Sequence, residues 1–167
     1  MTDTARLLMF PMLMAFAASS DLITMTISNR VSLILVAGFL TLALATGMSA
    51  HEIGLHALAA LTILAAGFVC FSFGWIGGGD AKLAAATVLW LGFEHLFEYL
   101  LWASVFGGVL SLMLLKFRHL PLPPLAHRLD WLVRLHDKNA GVPYGIALAI
   151  AALLIYPYTV WMQSAGL

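Results

Sequence analysis

The chain has 167 residues, 62% of them hydrophobic and 10% charged, with 8 Lys and Arg against 8 Asp and Glu. So apolar a composition excludes a soluble globular domain and places the chain in lipid. The absence of a basic excess excludes nucleic acid as a partner, because phosphate binding needs one. The single cysteine, Cys70, has no partner for an internal disulfide or a thiolate zinc site, and reads as a small hydrophobe within an apolar run.

Six apolar segments follow one another, at residues 7–27, 31–48, 53–73, 81–93, 96–115 and 142–162. Most are near the roughly 20 residues that span a bilayer. The expectation is an all-α integral membrane protein with six transmembrane helices in a single domain, residues 1–167. Arg6, the apolar run 7–16 and Ala15-Phe16-Ala17 also resemble a cleavable signal peptide. The apolar pattern resumes after Asp21 through Leu22, Ile23, Met25 and Ile27, however, and so makes a full span. The breaks between segments are short except the last, residues 116–141. There Pro121, Pro123 and Pro124 end the fifth helix, and Leu125, Leu129, Leu132 and Leu135 recur at helical spacing among Arg128, Arg134 and Lys138. This predicts an amphipathic helix at about 124–138, lying on the inner leaflet.

Six spans place Arg30, Lys82, Lys116, Arg118, Arg128, Arg134 and Lys138, seven of the eight basic residues, on one side. By the positive-inside rule that side is cytoplasmic, and both termini are extracytoplasmic. Glu52, Glu94 and Glu98 then face outward. Trp90, Tyr99, Trp102 and Trp161 are expected at the outer surface, and Trp75 and Tyr144 at the inner one.

Two carboxylates belong to no loop, Asp21 and Asp80. Asp21 is 14 residues after Leu7, and Asp80 is 14 residues before Glu94. Both therefore lie about 21 Å from the outer surface, within about 9 Å of the inner one. If their helices meet, two like charges in a dry site cannot both ionise cheaply, and the pair holds one proton. An aspartic protease uses that state: one carboxylate takes a proton from water while the other polarises the scissile carbonyl. Alternatives are two separate acids each satisfied locally, a proton- or cation-coupled transporter subunit that uses both carboxylates, or a noncatalytic scaffold.

Around the second acid stands Gly77-Gly78-Gly79-Asp80-Ala81-Lys82. Three glycines admit unusual torsions and close approach of another chain. A phosphate loop does not fit, since neither Gly-x-Gly-x-x-Gly nor a Lys-Ser/Thr ending is present. Lys82 either pairs with an acid or snorkels to the interface. His51 and His56 are five apart, about 140° round a helix, and do not make a zinc motif. No serine has a histidine partner, and no metal or cofactor is expected.

The Gly-x-Gly-Asp element at Gly77 to Asp80 with Lys82, preceded by Asp21 and the run to Asn29, resembles the type IV prepilin peptidases. Ser28 stands where that family usually has proline. Val142-Pro143-Tyr144-Gly145 resembles the family's final segment. Presenilin-like proteases share the quartet but carry a Pro-Ala-Leu element that is missing here. The resemblance implies a Gly-x-Gly-Asp membrane aspartic endopeptidase with Asp21 and Asp80 catalytic. It implies further that Asn29, Gly77, Gly78, Gly79, Lys82, Pro143, Tyr144 and Gly145 bind substrate, a prepilin or pseudopilin. One cysteine and a first inner loop of a few residues resemble the short form associated with Flp or tight-adherence pili. That form implies a bacterial inner-membrane enzyme that cleaves leaders at the cytoplasmic face without methylating the product; oligomeric state is left open.

The charge asymmetry generates a first prediction. Reporter fusions after Gly47 and Gly166 read extracytoplasmic and a fusion within residues 116–141 reads cytoplasmic; the inverse pattern would put both acids on the wrong face for a cytoplasmic leader.

Overall fold

The computed structural model describes residues 2–123 and 127–163, which are helical and contain no strand. The helices are α1 (Thr2–Thr24), α2 (Asn29–Ala45), α3 (Ala50–Ser72), α4 (Gly78–Leu91), α5 (Leu96–His119), α6 (Asp130–His136), α7 (Tyr144–Ile155) and α8 (Val160–Gln163). Three of them, α1, α3 and α5, are long and apolar enough to cross a membrane, whereas α2 and the stretch Tyr144–Tyr158 are shorter apolar helices.

Local chemistry sets the ends. Ser28 caps α2 by accepting from the Arg30 amide. Ser49 and Glu52 form a reciprocal capping box at the start of α3, so Glu52 is a helix cap as well as an exposed acid. Gly74 and Gly92, at φ +73 and +71, close the turns after α3 and α4 in a conformation that side chains rarely adopt. The apolar segment 142–162 is not one helix: α7 gives way to a 3-10 turn at Tyr156–Tyr158, because Pro157 has no N–H to continue the ladder. Within residues 116–141 the helix found is α6, seven residues long, while Leu125 lies outside the described residues.

The centre is α4, of only 14 residues. From Ala81 to Leu91 almost every α4 side chain is buried, against α3, α2 and α7, and α7 in turn packs on α1 and α5. At the end of α4 away from Asp80, its last carbonyls lack intrahelical partners. His56 Nδ1 donates to Leu89 O at 2.8 Å and Trp161 Nε1 to Trp90 O at 2.8 Å, so side chains of α3 and α8 cap it. Trp90 Nε1 donates to Leu35 O at 3.0 Å, and its ring meets Phe10 at 5.3 Å and Trp161 at 5.2 Å.

Trp90, Tyr99 and Trp161 are thus core residues, 0–2% exposed, and not members of an interfacial belt. Burial wins for the two tryptophans because each indole N–H finds a carbonyl inside the bundle, which leaves the full ring area free to pack. Trp75, by contrast, is exposed.

Trp90→Ala removes the ring on which four aromatic side chains converge and the indole hydrogen bond to Leu35 O. We expect a loss of about 3–5 kcal/mol of stability, read from unfolding in mixed micelles.

Candidate active site

The site grows from the exit of α1. Thr24 ends the helix, and Met25 adopts φ 54, a left-handed turn that reverses the chain. Ser20 Oγ and Thr24 Oγ1 both donate to Thr26 O at 3.1 Å and hold the reversal. It returns Ile27 to the bundle beside two glycines. A Cβ on Gly79 would lie 3.3 Å from Ile27 Cβ, and one on Gly145 would lie 2.7 Å from Ile27 Cδ1.

Each glycine neighbours an acid. Gly145 N donates to Asp21 Oδ2 at 2.8 Å, and Asp21 is only 4% exposed. Gly145 belongs to the first turn of α7, whose amides have no intrahelical acceptor, so a buried carboxylate supplies the acceptor and meets the positive end of the helix dipole. Asp80 sits in the first turn of α4, half-buried, and folds back over Gly77, where a Cβ would lie 2.8 Å from Oδ2. The two acids are close enough for the charge of one to act on the other. One carboxylate thus lies at each of two helix N-termini, α4 and α7, and Ile27 is packed against a glycine of both.

Not every residue singled out from the sequence joins them. Lys82 Nζ donates to Asn29 Oδ1 at 2.9 Å, which ties α4 to α2; it neither pairs with an acid nor merely snorkels. Tyr144 turns its ring away, onto Gly107 of α5, where any side chain would collide with it. Pro143 is buried at the N-cap of α7, directly before the residues that reach Asp21. Gly78 and Gly79 are helical and Gly77 has φ −73, so the triple glycine is used for close approach to Ile27, Phe71 and the Asp80 carboxylate, and not for left-handed torsions.

Sequence reasoning missed the residues that hold this end together. Arg118, buried, donates through Nε to Leu135 O at 2.9 Å and through Nη2 to Gly141 O at 2.7 Å, fixing the connection that leads into α7. Arg134 Nη1 donates to Ile23 O at 3.2 Å and binds α6 to the last turn of α1. Both read as ordinary members of a basic inner face, and Ile27 as one more apolar residue of the first span.

The model of the Type IV leader peptidase family matches residues 8–112, well over half of the chain. This chain belongs to the type IV leader peptidase family. No curated protein and no solved structure matches it. The family match takes in Asp21, Asn29, Gly77 to Asp80 and Lys82, but stops before α6 and α7. In this leader peptidase, then, the amide that holds Asp21 comes from the part of the chain beyond the match.

Gly145→Ala places a methyl group 2.8 Å from Asp21 Oδ2 and 3.2 Å from its Cβ. Because displacing a reacting group by about 1 Å can cost about 100-fold, we expect leader cleavage to fall by at least about tenfold in a chain that still inserts. Gly108→Ala, where nothing stands within 4 Å, serves as the control in the same cleavage assay and keeps its rate.

Proposed function

We propose that this leader peptidase is a membrane aspartic endopeptidase of the Gly-x-Gly-Asp type, with Asp21 and Asp80 as its catalytic pair. The observation that supports this most strongly is the placement of one carboxylate at each of two helix N-termini whose glycines flank a single residue, Ile27. One carboxylate, ionised, removes a proton from a water held between them. The other, protonated, donates to the oxygen of the scissile carbonyl, and the water oxygen adds to the carbonyl carbon. Collapse of the tetrahedral intermediate breaks the C–N bond, and the proton taken from water passes to the departing amine. A backbone amide on Asp21 and the first turn of α4 around Asp80 hold the acids in place without lending a competing nucleophile.

On the same reading the chain crosses the bacterial inner membrane six times as one domain, with both termini outside and the acid end toward the cytoplasm. The excess of basic residues at that end supports this orientation. A basic leader is retained on the cytoplasmic side by the same rule, which brings the scissile bond to the level of the acids. The substrate is a prepilin or pseudopilin of the Flp type, and α6 with its flanking residues lies along the inner leaflet.

Either Asp21→Asn or Asp80→Asn abolishes prepilin cleavage by purified, correctly inserted protein, because Asn keeps the size but can neither accept the water proton nor cycle the shared one. The double variant loses nothing more, since the pair works as a unit. Glu98→Gln, at the opposite end, cleaves normally. Full cleavage by the Asp21→Asn variant would remove that residue from the mechanism and return the pair to the transporter reading.

A further inference from the structure

A groove of about 550 Å³ opens on the side of α4 away from the acids. α2 and α3 both pack on α4 but hardly on one another, so they form two walls with α4 as the floor. On α2 the lining residues are Asn29, Ser32, Leu33 and Val36, and α3 repeats the same spacing from Ala57 to Leu64. That spacing is one face of a helix over two turns, about 10 Å long. Ala57, Ala60, Ala85 and Ala86 keep the walls and floor low, as surfaces do where another helix backbone approaches closely.

One end of this apolar groove is polar. Lys82 and Asn29 stand there, bonded to each other, and one helical turn deeper the Ser32 hydroxyl is buried, 9% exposed, with no hydrogen-bond partner. A buried hydroxyl without a partner is unfavourable, so something that brings an acceptor fits this position. An acyl chain brings none at that depth: a lipid headgroup reaches Lys82, but Ser32 lies about 4.5 Å farther in. The extended peptide segment before a transmembrane helix does bring acceptors, because its carbonyls have no intrahelical donor.

We propose that this groove seats the apolar transmembrane helix of the substrate, with the unwound carbonyls before that helix bonded by Ser32 and Lys82. The proposal rests on the proteolytic reading above and adds the path of the chain. Lys82 and Asp80 are about 200° apart round α4, so from the groove to the acids the substrate rounds the N-terminal end of that helix. The end is Gly77-Gly78-Gly79: Phe71 stands over Gly78 and Ile27 over Gly79, and the exposed Gly77 is the open point. Rounding a helix about 10 Å across takes three or four extended residues. The scissile bond therefore lies about that far before the first residue seated in the groove.

The test uses the full chain in vesicles of phosphatidylethanolamine and phosphatidylglycerol with a Flp-type prepilin. Ala60→Trp, which fills the groove, raises KM for the whole prepilin by about tenfold with kcat unchanged. The same variant cleaves normally a peptide that spans the scissile bond but lacks the apolar helix. Independently of folding effects at Ala60, a photo-crosslinking amino acid at Leu33 captures the prepilin helix, whereas one at Leu112, on the exposed side of α5, does not. Capture of lipid alone at Leu33 while cleavage proceeds, or equal KM values for Ala60→Trp and the unsubstituted chain, overturns the groove and leaves the peptidase standing. Failure of the unsubstituted chain to cleave either substrate overturns both.

Discussion

The 2.8 Å bond from Gly145 N to Asp21 Oδ2 is the interaction on which the acid end depends. An apolar bundle offers a buried carboxylate few donors, since its backbone amides are consumed by their own helices, and only the first turn of each helix leaves some free. Asp21 thus obliges a helix to begin at its own depth. α7 does so, and Pro143 at its N-cap is suited to the position because that residue needs no donor of its own. α4 begins at depth as well, with Asp80 in its first turn.

Starting two helices inside the bundle leaves short elements that cannot stabilise themselves. α4 is held laterally by α2, α3 and α7, and at its far end by the side chains of His56 and Trp161 on its last carbonyls. α7 is held from below by Arg118, which grips Gly141 four residues before Gly145, and from the side by Tyr144 seated on Gly107. The two ends of the molecule divide the labour: aromatic packing stabilises one, and polar contacts through single guanidinium groups position the other. The alignment of the acids is consequently sensitive to residues well outside the family match, which ends at residue 112.

Much of this was legible in the sequence, for reasons that can be named. Apolar length located the first five helices within a few residues, and two carboxylates stranded in apolar runs drew attention to Asp21 and Asp80 before any fold was known. The capping box Ser49 to Glu52 was equally readable, and taking Glu52 for a plain surface acid overlooked it. Direction was the harder property. Whether Trp90 and Trp161 point to lipid or to core depends on carbonyls supplied by tertiary neighbours, Leu35 O of α2 for the first and Trp90 O at the end of α4 for the second. The same holds for Tyr144, which sits in a motif beside Gly145 yet serves α5. It holds too for Lys82, whose partner Asn29 is 53 positions away in the chain. The triple glycine was recognised for what glycine permits, but which permission is used was decided by Ile27, a residue that looks like any other apolar one.

The most direct test asks whether Ile27 really joins the surroundings of the two acids. In a chain with Cys70 replaced by alanine, Ile27→Cys and Gly79→Cys put two sulfurs on carbons about 3.3 Å apart, close to the separation that a disulfide spans. Mild oxidation in native membranes should link α1 to α4 rapidly and completely, detected as a crosslink between the two fragments after cleavage of an engineered protease site in the connection between α2 and α3. A pair that stays reduced under conditions that oxidise a control pair within the contact of α3 with α4 would mean that the turn after α1 does not reach the N-terminus of α4, and that the two carboxylates do not form one site.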